Sequence, residues 1–184
     1  MGKRKNIDFE IEFPSEITAI VNGQQITMKK GANELKRIIG RRVEAALNGN
    51  KIVLSVKNAG KDERRELGSA KSHIKNMIEG LMNGFEYELE ICNVHFPMTL
   101  TFDKAKSQFI VKNQLGEKSP RVLSAPKNIE VEIKAPKITL KSFDLEVVSQ
   151  AAGNLEKLTR IRNRDRNKFQ DGIFITKKRG RAFS

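Results

Sequence analysis

The chain predicts an α+β protein of two duplicated modules, each an antiparallel-rich β-sheet packed against one α-helix, followed by a basic C-terminal extension. Three observations lead there. Short runs alternate apolar and polar residues, the period of a half-buried strand, between turns rich in Gly, Asn and Pro. Two longer runs repeat apolar residues at helical spacing, and each closes a series of strand-like runs. Charge is the third: residues 157–184 carry ten basic and two acidic side chains, which is +8 of the chain's formal +13. The expected modules are residues 1–85 and 86–160, with 161–184 as a basic loop and tail.

Ile7-Asp8-Phe9-Glu10-Ile11-Glu12-Phe13 alternates strictly and reads as a strand that Pro14-Ser15 ends. Ile17, Ala19 and Val21 then face Ile26 and Met28 across Asn22-Gly23, two residues that tolerate positive φ and so favour a hairpin. Residues 34–47 are ambiguous. Leu35, Ile38, Ile39, Val43 and Ala46 could line a helix, but Gly40 interrupts it and Asn48-Gly49-Asn50 closes the stretch as a hairpin would, so strands are preferred. Ile52, Leu54 and Val56 alternate as a central strand. Asn58 to Glu66 reads as polar loop. With Ser69 as N-cap, Ala70, Ile74, Met77, Ile78, Leu81, Met82 and Phe85 then describe an amphipathic helix of about four turns. Gly80 and Gly84 fall four apart on one face, where a sheet or loop could approach closely. Lys75 and Asn76 fall between the core positions and are expected on a solvated face.

The pattern restarts. Tyr87, Leu89 and Ile91 alternate, followed by His95-Phe96-Pro97-Met98, and Phe96-Pro97 matches Phe13-Pro14 of the first half. Leu100 with Phe102, and Phe109 with Val111, suggest two further strands. Ile129, Val131 and Ile133 are expected to repeat the Ile52 strand, with Ile138 and Leu140 adding another. Leu145, Val148, Ala152, Leu155 and Leu158 form the second amphipathic helix.

Composition narrows the function. At 184 residues, 38% hydrophobic and 31% charged, the chain can bury one ordinary core or two small ones. A pI near 10.0 favours a polyanionic partner. The single cysteine, Cys92, excludes an internal disulfide and suits a reducing compartment. No apolar run approaches the ~20 residues of a membrane-spanning helix. Neither a signal peptide nor a myristoylation pattern is expected, since Met1-Gly2-Lys3-Arg4-Lys5-Asn6 leads into alternating charge. A soluble cytoplasmic protein is therefore expected.

Chemistry is absent from the motifs. Cys92 and His95, three apart on or just past a strand, should point to opposite faces and miss the contact that a nucleophile and its base require. One Cys and two His (His73, His95) do not make a four-ligand zinc site. There is no phosphate-binding glycine loop. No catalysis, cofactor, metal or small-molecule substrate is expected.

Arg160-Ile161-Arg162-Asn163-Arg164-Asp165-Arg166-Asn167-Lys168 instead places Arg at every second position just beyond the second helix. Guanidinium groups fork onto phosphate oxygens, which fixes position without reading bases. The aromatics are all Phe apart from Tyr87, and they form no paired sheet-surface motif for stacking bases. Folded, double-stranded RNA read by shape and backbone is the expected partner. If ~6–10 phosphates are neutralised, affinity should fall by ~10³ to 10⁵ between 50 and 200 mM salt. The apolar run Ile173-Phe174-Ile175 implies that part of the basic stretch is folded.

Three segments together resemble the archaeal and eukaryotic branch of large-subunit ribosomal protein six. The first runs from Ser72-His73-Ile74-Lys75-Asn76-Met77-Ile78 through Gly80, Gly84-Phe85, Tyr87, Leu89 and Ile91 to His95-Phe96-Pro97-Met98. The second is Asn113-Gln114-Leu115-Gly116-Glu117-Lys118-Ser119-Pro120-Arg121. The third runs from Glu146-Val147-Val148-Ser149-Gln150 through Asn154, Thr159-Arg160-Ile161 and Arg164-Asp165 to Phe169-Gln170-Asp171-Gly172-Ile173. Phe169-Gln170-Asp171-Gly172 is similar to the archaeal and eukaryotic form, where the bacterial one has a Tyr-Lys-Gly-Lys-Gly type of sequence.

The resemblance implies two α+β domains related by duplication. It also implies a non-catalytic, cytoplasmic place on the large ribosomal subunit near the stalk base and factor-binding region. Large-subunit ribosomal RNA and neighbouring large-subunit ribosomal proteins would be the partners, with no membrane. The implied RNA contacts are Arg160, Arg162, Arg164, Arg166, Lys168, Gln170, Asp171 and Gly172, together with the basic tail Lys177, Lys178, Arg179 and Arg181. Ser149 and Gly153 depart from the Gly and Ala of the family, and the loop 57–67 is unlike it. The same charge would also serve a stand-alone RNA chaperone or regulator, or an anionic-membrane binder using the tail and Phe183.

Overall fold

A computed structural model describes residues 6–179, 181 and 182; Phe183 lies outside the described residues. Among these residues the fold is α+β, with two α-helices and antiparallel sheets. The chain divides into two compact units, which meet in sequence at Gly84 and Phe85.

The first unit contains strands β1 (Ile7–Glu12), β2 (Thr18–Asn22), β3 (Gln25–Lys30), β4 (Asn33–Ile38), β5 (Glu44–Asn48) and β6 (Lys51–Val56), then helix α1 (Lys61–Asn83). Two three-stranded sheets result, in the orders β1-β6-β5 and β2-β3-β4. The hairpin register sets Val21 against Ile26 and Ala19 against Met28. The ambiguous stretch resolves into β4 and β5, joined by a turn whose Ile39 and Val43 are buried. Ile26, Met28, Ile52, Leu54 and Ile74 are wholly removed from water, each such side chain contributing ~1.5–3 kcal/mol.

Helix α1 corrects two expectations. It begins at Lys61, not at Ser69, and so takes in most of the expected polar loop. Lys61-Asp62-Glu63-Arg64-Arg65-Glu66 lacks an apolar stripe but consists mostly of good helix formers. Glu63 Oε2 accepts from the Gly60 N–H at 3.0 Å, half of a capping box. Arg42 lies 3.4 Å from Glu63 and 3.9 Å from Asp62, tying the charged first turns back to the β4–β5 turn. At the other end Gly84 is not a second small residue on the helix face. It lies past the helix with φ 70°, its N–H donating to Gly80 O at 2.9 Å, a conformation that favours glycine.

The second unit contains β7 (Phe85–Cys92), β8 (Thr99–Asp103), β9 (Gln108–Lys112), a short 3₁₀ turn (Gln114–Gly116), β10 (Arg121–Ser124), β11 (Glu130–Lys134), β12 (Lys137–Ser142), α2 (Leu145–Leu158), β13 (Gly172–Lys178) and β14 (Arg181–Ala182). Its sheets run β11-β12-β7-β13-β14 and β10-β9-β8. Asp144 caps α2, its carboxylate accepting from the Glu146 N–H at 2.8 Å. Val148, Ala152 and Leu155 pack beneath the helix, fully buried.

The duplication is visible in the registers. Ile52 and Leu54 oppose Ile11 and Phe9 as Ile138 and Leu140 oppose Leu89 and Tyr87. The counterpart of the Ile52 strand is therefore β12 and not the run Ile129-Val131-Ile133. That run contributes β11, at the sheet edge, where its apolar side chains are only half buried.

Residues 161–184, set apart in sequence as loop and tail, are not of one kind. Residues 172–178 form β13, paired along β7, with Ile173 fully buried in the core. Among the described residues from 159 on, the segment 159–171 and the turn residue Arg179 stand outside the sheet.

Candidate nucleic-acid interface

Helix α2 ends at Leu158, and its last carbonyls lack partners within the helix. Side chains from elsewhere supply them. Gln114 Nε2 donates to Thr159 O at 3.1 Å, and Arg121 Nη1 donates to Leu158 O. Glu117 grips Arg121 through both carboxylate oxygens, Nε to Oε2 at 2.8 Å and Nη2 to Oε1. That hydrogen bond chiefly holds the Glu117 carboxyl below the usual range, against partial burial. The segment 113–121 is therefore a bracket for the helix end. Thr159 completes it: its Oγ1 accepts from the Ile173 N–H at 2.9 Å, joining the helix exit to the start of β13.

The loop between these anchors is shaped from inside by Asp165. Its carbonyl accepts from the Lys168 and Phe169 N–H groups at 3.2 and 2.9 Å, and its carboxylate from the Asn167 N–H at 3.0 Å. Asn163 takes a left-handed conformation, φ 57°, which Asn tolerates better than most residues. With the turn so fixed, Arg160, Arg162, Arg164, Arg166, Lys168 and Gln170 all face solvent. Arg164 lies 4.8 Å from the Phe169 ring centroid, and Phe169 stacks on His95 at 4.9 Å.

Asp171 is placed otherwise. It is 3% exposed, and Oδ1 accepts from the N–H groups of Val94 and His95, both at 2.8 Å, and of Phe96 at 3.5 Å. Oδ2 accepts from His95 Nδ1 at 2.7 Å. Burial alone would raise the carboxyl, but these donors outweigh it and bring it down to about 2. Asp171 is thus an inward tie that holds the 93–98 loop against the base of the basic loop. Gly172 is buried too, where a Cβ would meet the Phe174 ring at 3.3 Å and Thr159 Oγ1 at 3.5 Å.

The remaining expected residues lie elsewhere. Lys177 forms an ion pair with Glu88 at 2.8 Å on the sheet, and Arg179 sits 5.7 Å from the Phe85 ring centroid. Lys178 and Arg181 are exposed and oppose each other between β13 and β14. They sit at the far end of β13 from the loop, ~20 Å away for a strand of this length. Two basic clusters result, one at each end of one strand.

Sequence reasoning missed the bracket, Gln114, Glu117, Arg121 and Thr159, and the His95 tie. All five lie in the segments that carry the family resemblance, but only the i, i+4 spacing of Glu117 and Arg121 hinted at what any of them does. The Cys92 thiol is pushed up by burial, with Glu90 and Asp171 adding to it, the opposite of an activated nucleophile. Among the described residues no group of three or more His, Cys, Asp or Glu could hold a metal ion, and no helix is long and apolar enough to cross a membrane.

No protein-family model matches the chain. Individual proteins do. The chain is 36% identical over 174 residues to large ribosomal subunit protein uL6 of Methanococcus vannielii, covering 94% of each. It is 34% identical over 170 residues to the uL6 of Methanobrevibacter smithii, covering 92% of this chain and 94% of that one. The uL6 of Haloarcula marismortui is 31% identical over 174 residues, covering 94% of this chain and 97% of its own.

Proposed function

The chain belongs to the uL6 family of structural proteins of the large ribosomal subunit, and from that premise we propose that it holds large-subunit ribosomal RNA through the loop 160–170. One observation carries the reading: six exposed polar or cationic side chains stand on a backbone fixed at both ends and from within. Arg160, Arg162, Arg164, Arg166 and Lys168 meet phosphate oxygens, and Gln170 offers a carboxamide to phosphate or ribose. Asp171 and Gly172 act from beneath, by placing the loop. The loop loses little freedom on binding, so more of the electrostatic gain appears as affinity. Lys178 and Arg181, with Lys177 and Arg179 beside them, form a second contact at the other end of β13. Two fixed points on one strand suit recognition of a folded RNA by shape.

The family resemblance supports a place on the subunit near the stalk base and factor-binding region, beside other large-subunit proteins. A cleavage reagent tethered to Arg166→Cys in a Cys92→Ala background should cut ribosomal RNA of that region. Cuts confined to other regions would refute the placement.

Replacing Arg162, Arg164 and Arg166 by Ala should leave the thermal transition unchanged. The slope of log affinity for large-subunit ribosomal RNA against log salt should fall by about two to three, at ~0.7–0.9 per phosphate. An unchanged slope in a folded variant would put the RNA site elsewhere.

A further inference from the structure

The duplication leaves one position without its counterpart. In the second unit, β13 pairs with the side of β7 that faces away from β12. In the first unit β1 stands where β7 stands, and among the described residues no strand pairs with its outer edge. The registers match residue by residue. Ile7, Phe9 and Ile11 oppose β6 as Phe85, Tyr87 and Leu89 oppose β12. Asp8, Glu10 and Glu12 therefore take the places of Glu86, Glu88 and Glu90.

In the second unit the middle of that acidic row receives the added strand. Lys177 of β13 lies opposite Glu88 in register and bonds it at 2.8 Å. In the first unit only Lys51 of β6 answers the row, reaching Glu12 at 2.7 Å and Glu10 at 3.5 Å among the described residues. Glu10 and Glu12 stay 63% and 73% exposed. β1 contains neither Lys nor Pro, so among the common edge guards it has only the acidic row itself, which repels strands that bring no cation.

We propose that the outer edge of β1 takes up, antiparallel, an extended segment of another protein chain that alternates aliphatic residues and sets a Lys or Arg opposite Glu10. The strand supplies backbone hydrogen bonds and the acidic row supplies selectivity, the division of labour of strand addition. RNA does not fit, because three carboxylates repel phosphate. A second copy does not fit either: β1 laid antiparallel on β1 would set acid near acid, which is destabilising. The inference is independent of where RNA binds.

The probe is a synthetic peptide with the sequence of residues 172–178, the strand that fills the corresponding edge. It is titrated onto the full chain while backbone amide exchange is followed. Every second amide of β1, the set that points away from β6, should slow by about ten-fold or more as free edge groups become paired. The effect should vanish with Asp8→Lys combined with Glu10→Lys, which leaves β1 paired to β6. It should also vanish for a peptide carrying Asp at both lysine positions. Unchanged β1 amides would overturn the proposal, as would edge amides already protected in the free monomer. Protection at β7 in place of β1 would mean strand exchange in the second unit and would overturn it equally. In assembled large subunits the same amides should be slow, and a photo-crosslinker at Asp8 should reach protein; reaction with RNA there would refute the choice of partner.

Discussion

Asp171 was expected at the RNA surface because the family resemblance implies an RNA contact there. Its partners, Val94, His95 and Phe96, are far away in sequence, and only the pairing of β7 with β13 brings them to it. No local pattern announces such a tie. Asp171→Asn should cost about 1.5–3 kcal/mol in denaturant unfolding, the range for hydrogen bonds to a charged group. The pH dependence has a definite sign. The folded carboxyl titrates at about 2 and the unfolded one near 3.8, so the unfolded chain binds more protons between those values. The tie is fully stabilising above pH ~4 and is lost as pH falls toward 2. Other carboxylates weaken over the same interval, so the measure is the difference between the two proteins, which should narrow steadily below pH ~4. Arg121 supports the same loop from the other side. Arg121→Ala should destabilise by about 1 kcal/mol and speed amide exchange across residues 159–171, with little change in β1 to β6.

Among the elements, strands were legible wherever one face is buried and the other wet. β1, β2, β6 and β7 are of that kind, and the period of two declared them. The start of α1 was not legible, because its first turns bury only Leu67 and are otherwise charged. Such a segment is held by helix propensity and by Arg42, neither of which leaves a periodic trace. β13 was half legible: the run Ile173-Phe174-Ile175 marks a folded piece without saying that it is a strand, and the lysines that follow it read as tail. The helices also carry avoidable weakness. A Cβ at Gly68 in α1 or Gly153 in α2 would touch nothing within 4 Å. The departure at Gly153 from the family's Ala is thus not forced by packing. Gly153→Ala and Gly68→Ala should each stabilise by about 0.5–1 kcal/mol, read as a rise of a few degrees in the thermal midpoint.

For the molecule as a whole, the twofold repeat was readable from the order of patterns alone, while the division of the basic stretch was not. Charge counts do not reveal that β13 carries the two clusters ~20 Å apart. Their separation has a measurable consequence. Lys178→Ala with Arg181→Ala should lower the salt slope of RNA binding by nearly two, and combining it with the triple Arg variant should give the sum of the two reductions. A sum well short of that would mean that only one cluster meets phosphate. The place of β13 in the sheet also bears on how the protein is made. The first unit draws all its described strands from residues 7–56, and α1 follows them directly, so its core is complete early in synthesis. The second unit closes only when residues 172–178 slot in beside β7, long after β7 itself has been translated. A chain that stops short of residue 172 lacks the Ile173 N–H that fixes Thr159, so its loop 160–170 should show markedly less RNA affinity than that of the finished protein.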